Sequence, residues 1–125
     1  MRPQIEFLYF RGCPNYESTR ELLRQVLREN KVKATLHNMR IDSFDEAWAK
    51  RFLGSPTIRI NGVDIEPGAE NRRDYGLQCR VYRRGNEFAG KPSKTMIRAA
   101  LQSALLTESR APLTDKTENK MEYMR

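Results

Sequence analysis

The chain has 125 residues, of which 38% are hydrophobic, so it fits one domain with a modest core. It has no run of roughly 18 apolar residues that could span a membrane, and the apolar run 7–10 is too short for a signal peptide. We therefore expect a cytoplasmic protein without a membrane partner, and its net charge of +7 raises the question of nucleic acid.

The first third of the sequence predicts a strand, a helix and a second strand. Residues 5–10 form a nearly unbroken apolar and aromatic run, as expected of a strand buried on both faces. Residues 11–15 interrupt this run with turn chemistry, and Pro14 suits the first turn of a helix because its missing N–H has no partner there. The helix should end near residues 29–30, and an imperfectly alternating strand should follow at 33–41.

A second helix is predicted after residue 43. Ser43 and Glu46 have the spacing of a capping box at a helix N-terminus. Three aromatic residues then fall at helical spacing and should belong to the core: Phe44, Trp48 and Phe52.

Two further strands are predicted beyond Gly54, which stops that helix. Residues 57–61 alternate like a strand and end at an Asn-Gly turn. After a charged loop at 63–76, we expect residues 79–83 to form a fourth strand, antiparallel to the third across an enlarged connection.

The last predicted helix is capped by Ser93 and has an apolar stripe between residues 96 and 105. Residues 107–125 are polar and should form a flexible tail after a domain of residues 1–106. The order β-α-β-α-β-β-α makes the first two strands parallel, because a crossover helix joins them. It therefore predicts an α/β fold with a four-stranded mixed sheet and helices on both faces.

This order, with a cysteine at the first strand-to-helix turn, resembles the thioredoxin superfamily over roughly residues 4–106. The motifs that carry the resemblance are Cys-Pro-Asn-Tyr at 13–16 and Gly-Ser-Pro-Thr-Ile at 54–58. With Gly12 before the cysteine and Cys-Arg-Val-Tyr at 79–82, the chain is most similar to a little-characterised bacterial group of thioredoxin-like proteins that includes selenoproteins.

The resemblance implies a thioredoxin-like fold whose active-site thiol is Cys13. It also implies a cis bond before Pro56, which leaves the backbone of Ser55 free to pair with an extended substrate. Dithiol oxidoreductases of this fold have a second cysteine where this chain has Tyr16, so the departure favours monothiol chemistry. The residues expected to contact the substrate are Pro14, Tyr16, Ser55, Pro56 and Thr57.

Cys13 has physical support apart from the resemblance. A thiol beside a helix N-terminus faces unpaired backbone N–H groups and the positive end of the helix dipole, and both favour the thiolate. Arg11 can add positive potential. A thiolate attacks disulfides, peroxides and other soft electrophiles, so we expect a thiol or disulfide substrate. The alternative is a cysteine at a helix start with no chemical role.

Cys79 is either a core residue or a second catalytic thiol, since free cysteine is commonly buried. Strand direction argues against a disulfide with Cys13, because Cys79 should open the fourth strand at the end of the sheet opposite to Pro56. Reduction of Cys13 would then need an external thiol such as glutathione.

Two other functions stay open. One is the handling of a soft metal such as mercury, copper or zinc by Cys13, alone or together with Cys79, because soft ions select thiolates. The other is a binding module that uses the run 72–91, which has six basic and two acidic residues, to dock nucleic acid or an acidic protein. A solvated basic face is the simpler interpretation of this run, so we do not expect a nucleic-acid partner. His37 lacks neighbours at metal-ligand spacing, and no zinc site or organic cofactor is predicted.

Overall fold

The computed structural model describes residues 2–109. Within this range the chain forms a four-stranded sheet, three α-helices and a separate two-stranded hairpin. None of these helices is both long enough and apolar enough to cross a membrane. The predicted tail lies outside the described residues from position 110 onward. In chain order the elements are β1 (Gln4–Tyr9), α1 (Tyr16–Glu29), β2 (Thr35–Arg40), α2 (Phe44–Ala49), β3 (Thr57–Ile60), β4 (Val63–Asp64), a 3-10 turn (Ala69–Asn71), β5 (Tyr82–Arg84), β6 (Glu87–Ala89) and α3 (Lys94–Ser109).

The strand order in the sheet is β2-β1-β3-β4. β1 and β2 are parallel, with Gln4 opposite Thr35, because α1 carries the chain back to the starting end of the sheet. β3 is antiparallel to β1, with Leu8 opposite Thr57. The predicted mixed sheet and the parallel first pair are therefore confirmed.

The fourth strand of the sheet is β4, and the prediction of a fourth strand at residues 79–83 is wrong. Asn61 and Gly62 have φ values of +52° and +84°, as a type I′ turn requires at its two central residues. This turn reverses the chain at once, so β4 pairs antiparallel with β3 directly after it. Tyr82–Arg84 pairs instead with Glu87–Ala89 in the separate hairpin.

The core has two layers because successive side chains of a strand point to opposite faces. Ile5 and Phe7 of β1 face α1 and α3, where they pack with Leu23 and Leu101. Leu8 faces the other way and packs with residues of the α2 segment. Each fully buried side chain of this kind contributes about 1.5–3 kcal/mol to the free energy of unfolding.

Both predicted helix caps are confirmed. The Ser43 Oγ accepts a hydrogen bond of 3.1 Å from the Glu46 N–H at the start of α2. The Ser93 Oγ accepts one of 3.1 Å from the Met96 N–H at the start of α3. Each bond satisfies a backbone donor that the first turn of a helix otherwise leaves without a partner.

Only one of the three aromatic residues around α2 belongs to the core. Phe52 is fully buried, whereas Phe44 and Trp48 are 59% and 48% exposed, so the prediction is wrong for these two. α2 has only six residues and buries Ala47, and Phe52 reaches the core from the loop after the helix. Trp48 packs edge-on against Tyr75, with ring centroids 5.0 Å apart.

Candidate thiol site

Cys13 lies in the turn that joins β1 to α1. Its N–H donates to the Phe10 carbonyl and its own carbonyl accepts from the Tyr16 N–H, both at 3.3 Å. Gly12, with φ of +85°, allows the chain to reverse just before the thiol. The side chain is a half-buried free thiol. The fold therefore presents Cys13 three residues before the start of α1, at the end of the sheet where β1 finishes.

Tyr16 fixes the start of α1 through its ring. The ring stacks on Tyr9, with centroids 4.2 Å apart, and meets Phe7 edge-on at 5.4 Å. Its hydroxyl accepts a hydrogen bond of 2.8 Å from the Arg20 guanidinium. Tyr16 is therefore mainly a packing residue that positions the Cys13 turn, while Pro14 beside the thiol is exposed.

The loop before β3 comes to the same end of the sheet. Leu8, near the end of β1, pairs with Thr57 at the start of β3, so the two residues before Thr57 lie toward the Cys13 turn. The peptide bond between Ser55 and Pro56 is cis. Ser55, Pro56 and Thr57 are all buried.

The backbone of Ser55 is already paired within the chain. Its N–H donates to the Gln78 carbonyl at 2.9 Å, and its carbonyl accepts from the Arg80 N–H at 3.0 Å. These two bonds form a parallel bridge in which Cys79 stands opposite Ser55. Ser55 is therefore not free to pair with a substrate in this structure, in contrast to the expectation from the sequence. We name residues 78–80 the strap.

Cys79 is an exposed free thiol beside Ser55, at the end of the sheet where β3 begins. The prediction that Cys79 lies at the opposite end is wrong. It assumed that residues 79–83 form the strand antiparallel to β3, but β4 fills that position. The chain can then return to the start of β3 before it reaches the strap. Both cysteines consequently lie at the same end of the sheet.

The Arg80 side chain anchors the strap and is only 1% exposed. Its guanidinium donates to both Asp64 carboxylate oxygens, at 2.7 and 2.8 Å, to Glu66 at 3.0 Å and to the Thr57 hydroxyl at 3.0 Å. It also lies 4.6 Å from the centroid of the Tyr82 ring. Burial is the largest single effect and would lower the pKa of Arg80, but Asp64, Tyr82 and Glu66 together outweigh it, so the pKa is raised above its ordinary value. The anchor is therefore a permanently charged cation. Its two terminal nitrogens are hydrogen-bonded, whereas its buried Nε has no hydrogen-bond partner among the described residues.

Two further contacts hold the strap against the cis-proline loop. The Gln78 side-chain amide donates to the carbonyls of Leu53 at 3.2 Å and Asp74 at 2.6 Å. A Cβ atom on Gly54 would lie 3.0 Å from the Arg80 backbone, so only glycine permits this close approach. The strap is thus packed backbone to backbone on the loop.

Tyr82 completes the arrangement just beyond the strap. Its hydroxyl donates to the Pro56 carbonyl at 2.6 Å, and burial of the ring raises the pKa of Tyr82 above its ordinary value. The sequence interpretation missed this role and that of Arg80. The sequence carried no clear signal for either role. Alternation at residues 79–82 would place the apolar Cys79 and Val81 on the buried face, but the structure buries Arg80 and Tyr82 instead.

The basic run 72–91 is not a uniform cationic face. Arg80 is buried, and Arg72 pairs with Asp74 at 2.6 Å and with Glu66 at 3.6 Å. The hydrogen bonds that Arg72 donates to Asp74 raise the pKa of Arg72 above its ordinary value. Two of the six cations in this run thus serve local structure.

Within residues 2–109, no three His, Cys, Asp or Glu side chains are grouped so that they could hold a metal ion. Comparisons of the chain with protein-family models, with curated proteins and with solved structures find no match. These comparisons therefore suggest no function, and the chemistry of the Cys13 thiol and of its surroundings is the basis for proposing one.

Proposed function

We propose that this protein is a thioredoxin-like monothiol redox protein that acts through Cys13 on disulfides, peroxides or other soft electrophiles. The observation that carries the proposal is the position of Cys13, a half-buried free thiol in the turn before α1. The mixed sheet of order β2-β1-β3-β4 and the cis-proline loop at the same sheet end support the thioredoxin-like assignment. Helix N-termini favour anions, and the thiolate is the nucleophilic form of cysteine.

The proposed reaction is thiol–disulfide exchange in two balanced steps. The Cys13 thiolate attacks one sulfur of the substrate disulfide, and the other sulfur leaves as a thiolate. A thiolate of glutathione then attacks the substrate sulfur of this mixed disulfide, and Cys13 leaves as a thiolate. One S–S bond forms and one breaks in each step, so the substrate disulfide is exchanged for a disulfide with glutathione.

The rate of the first step tests the proposal. Cys79→Ser leaves Cys13 as the single thiol, and its mixed disulfide with bis(2-hydroxyethyl) disulfide can be followed by mass spectrometry. The matched control is the peptide Gly-Cys-Pro-Asn-Tyr, which has the same local sequence as residues 12–16 without the fold. We expect the protein to react about tenfold faster at pH 7, because the turn before α1 presents the sulfur beside a helix N-terminus that the unfolded peptide lacks. A rate equal to that of the peptide would refute the proposal.

Turnover gives a second test. With glutathione, glutathione reductase and NADPH as the electron donor, the wild-type protein should catalyse reduction of the small disulfide, and Cys13→Ser should not. Since the proposed release step uses external glutathione, Cys79→Ser should keep this activity.

A second candidate function is the capture of a soft metal ion, which is favoured by the position of both cysteines at one end of the sheet. Thiolates are the preferred ligands of Cu(I) and Hg(II). Native mass spectrometry with Cu(I) should then show one bound ion that is lost in both Cys13→Ser and Cys79→Ser. An ion that stays bound in either single variant excludes a site made of the two thiols.

A further inference from the structure

We infer that the strap restricts the substrates of Cys13 to small electrophiles that do not need to pair through an extended backbone. This inference rests on the proposed function of Cys13. It deepens that function by naming the substrate class, which is low-molecular-weight disulfides and peroxides rather than extended polypeptides.

Little backbone at this end of the sheet is open to a peptide. An extended peptide binds a sheet by pairing its own N–H and C=O groups with those of an exposed edge. In the loop before β3, the groups that could serve are those of Ser55, and the strap uses both of them, at 2.9 and 3.0 Å. A peptide substrate would have to displace residues that occupy the place of a docked strand.

The strap is held firmly in place by buried side-chain contacts. Lifting it would separate the buried Arg80 guanidinium from Asp64 and Glu66, and it would break the Gln78 contacts to the cis-proline loop. Breaking a buried ion pair is costly, since it leaves a charge without compensation. The strap is therefore a fixed part of the fold and not a loosely closed lid.

The Cys13 turn itself remains open to a small substrate. Cys13 is half-buried and the adjacent Pro14 is exposed, so solvent reaches the Cys13 turn while the strap keeps its bonds to Ser55. A small disulfide or peroxide needs only this approach, because it forms a bond to sulfur without requiring backbone hydrogen bonds. The chemistry of the site thus fits small electrophiles.

The test compares two disulfides that can both release the thiolate of 2-mercaptoethanol, and the mass of the protein product identifies attack on the peptide sulfur. One is bis(2-hydroxyethyl) disulfide, and the other is an unstructured peptide of about eight residues whose central cysteine forms a disulfide with 2-mercaptoethanol. Both are reacted with the Cys79→Ser protein and with N-acetylcysteine as a reference thiol. For each thiol we take the ratio of its rate with the small disulfide to its rate with the peptide disulfide. We expect this ratio to be about tenfold higher for the protein than for N-acetylcysteine, since docking of the peptide would break two backbone hydrogen bonds.

A strap variant separates this inference from simple crowding around the thiol. Gln78→Ala removes two side-chain bonds of the strap without uncovering a buried charge, and Gln25→Ala removes one exposed bond on α1 as the matched control. In the Cys79→Ser background, Gln78→Ala should speed hydrogen exchange of the Ser55 and Arg80 amides and raise the relative rate with the peptide several-fold. Gln25→Ala should change neither.

The outcomes distinguish the two proposals. If Cys13 reacts with both disulfides faster than the reference but does not discriminate between them, this inference is refuted and the proposed function stands. Faster amide exchange in Gln78→Ala without a change in discrimination refutes it as well. If Cys13 reacts with neither disulfide faster than the reference, the proposed function fails and the inference fails with it.

Discussion

The guanidinium of Arg80 contacts both carboxylate oxygens of Asp64, at 2.7 and 2.8 Å. This paired contact links the strap to β4, two parts of the chain that no local sequence pattern connects. Paired contacts of this kind are the strong form of a charge-assisted hydrogen bond. The arrangement explains why the strap can occupy the backbone of Ser55 in the absence of a longer strand.

Removal of this cation should be the most damaging of the substitutions considered. Arg80→Met leaves the carboxylates of Asp64 and Glu66 together without their buried cation. We expect a loss of about 3–5 kcal/mol in the free energy of unfolding, measured by urea denaturation. Arg83→Met changes an exposed arginine of the hairpin and should stay within about 0.5 kcal/mol of the wild type. Equal effects of the two substitutions would contradict the assigned role of Arg80.

Burial of the Tyr82 phenol should lower the free energy of unfolding at alkaline pH. Burial raises the pKa of Tyr82 above its ordinary value of 10.0, so the folded protein keeps the phenol neutral where the unfolded chain begins to ionise it. Its contribution is therefore fully present below pH 10 and is lost as the pH rises toward the folded pKa. Tyr82→Phe should be less stable at pH 8 because it lacks the bond to Pro56, yet its stability should fall less steeply above pH 10.

Urea denaturation at several pH values measures this difference in slope. Absorbance at 295 nm should also show one tyrosine that ionises only with unfolding in the wild type and is missing from Tyr82→Phe. The same alkaline slope in both proteins would show that Tyr82 is not protected by burial.

Gly54 should be the glycine that is least tolerant of substitution near the site. Its φ is +126°, and a Cβ there would lie 3.0 Å from backbone atoms of Arg80 and Gln78. Gly62 has φ of +84° but open space around its Cβ position, so Gly62→Ala pays only the conformational cost, on the order of 1–3 kcal/mol. We expect Gly54→Ala to be less stable than Gly62→Ala in urea denaturation. Hydrogen exchange of the Ser55 amide should also be faster in Gly54→Ala. An unchanged exchange rate would contradict the close packing of the strap on Gly54.

Glu29 and Lys94 join the end of α1 to the start of α3 at 2.7 Å. The hydrogen bond from Lys94 lowers the pKa of Glu29 below its ordinary value of 4.5. The contribution of this pair to stability is present above pH 4.5 and is lost as the pH falls through the folded pKa. In urea denaturation at several pH values, the free energy of unfolding of Glu29→Gln should therefore fall slightly less steeply below pH 4.5 than that of the wild type. The effect should shrink in 1 M salt because the pair is exposed; an effect that persists in salt would contradict a simple surface pair.

Local patterns were sufficient for much of the fold. The aromatic run of β1, the apolar face of α1 and the caps at Ser43 and Ser93 were predicted because each depends on residues a few positions apart. The turn at Asn61 and Gly62 was also recognised, but its consequence was missed. A strand of two residues such as β4 is too short to show alternation, so its residues were assigned to the loop at 63–76.

The sequence by itself determined that a thiol would stand between β1 and α1, because a buried strand, a turn and an amphipathic helix are each encoded locally. Only the tertiary structure decided that Ser55 pairs with the strap and that Arg80 is a buried cation. Both depend on distant carboxylates, since an arginine is driven to solvent unless groups such as Asp64 and Glu66 meet it in the interior. The folding of the whole chain determines which distant groups come into contact. The partners of Arg80 therefore cannot be predicted from the local sequence of residues 78–82.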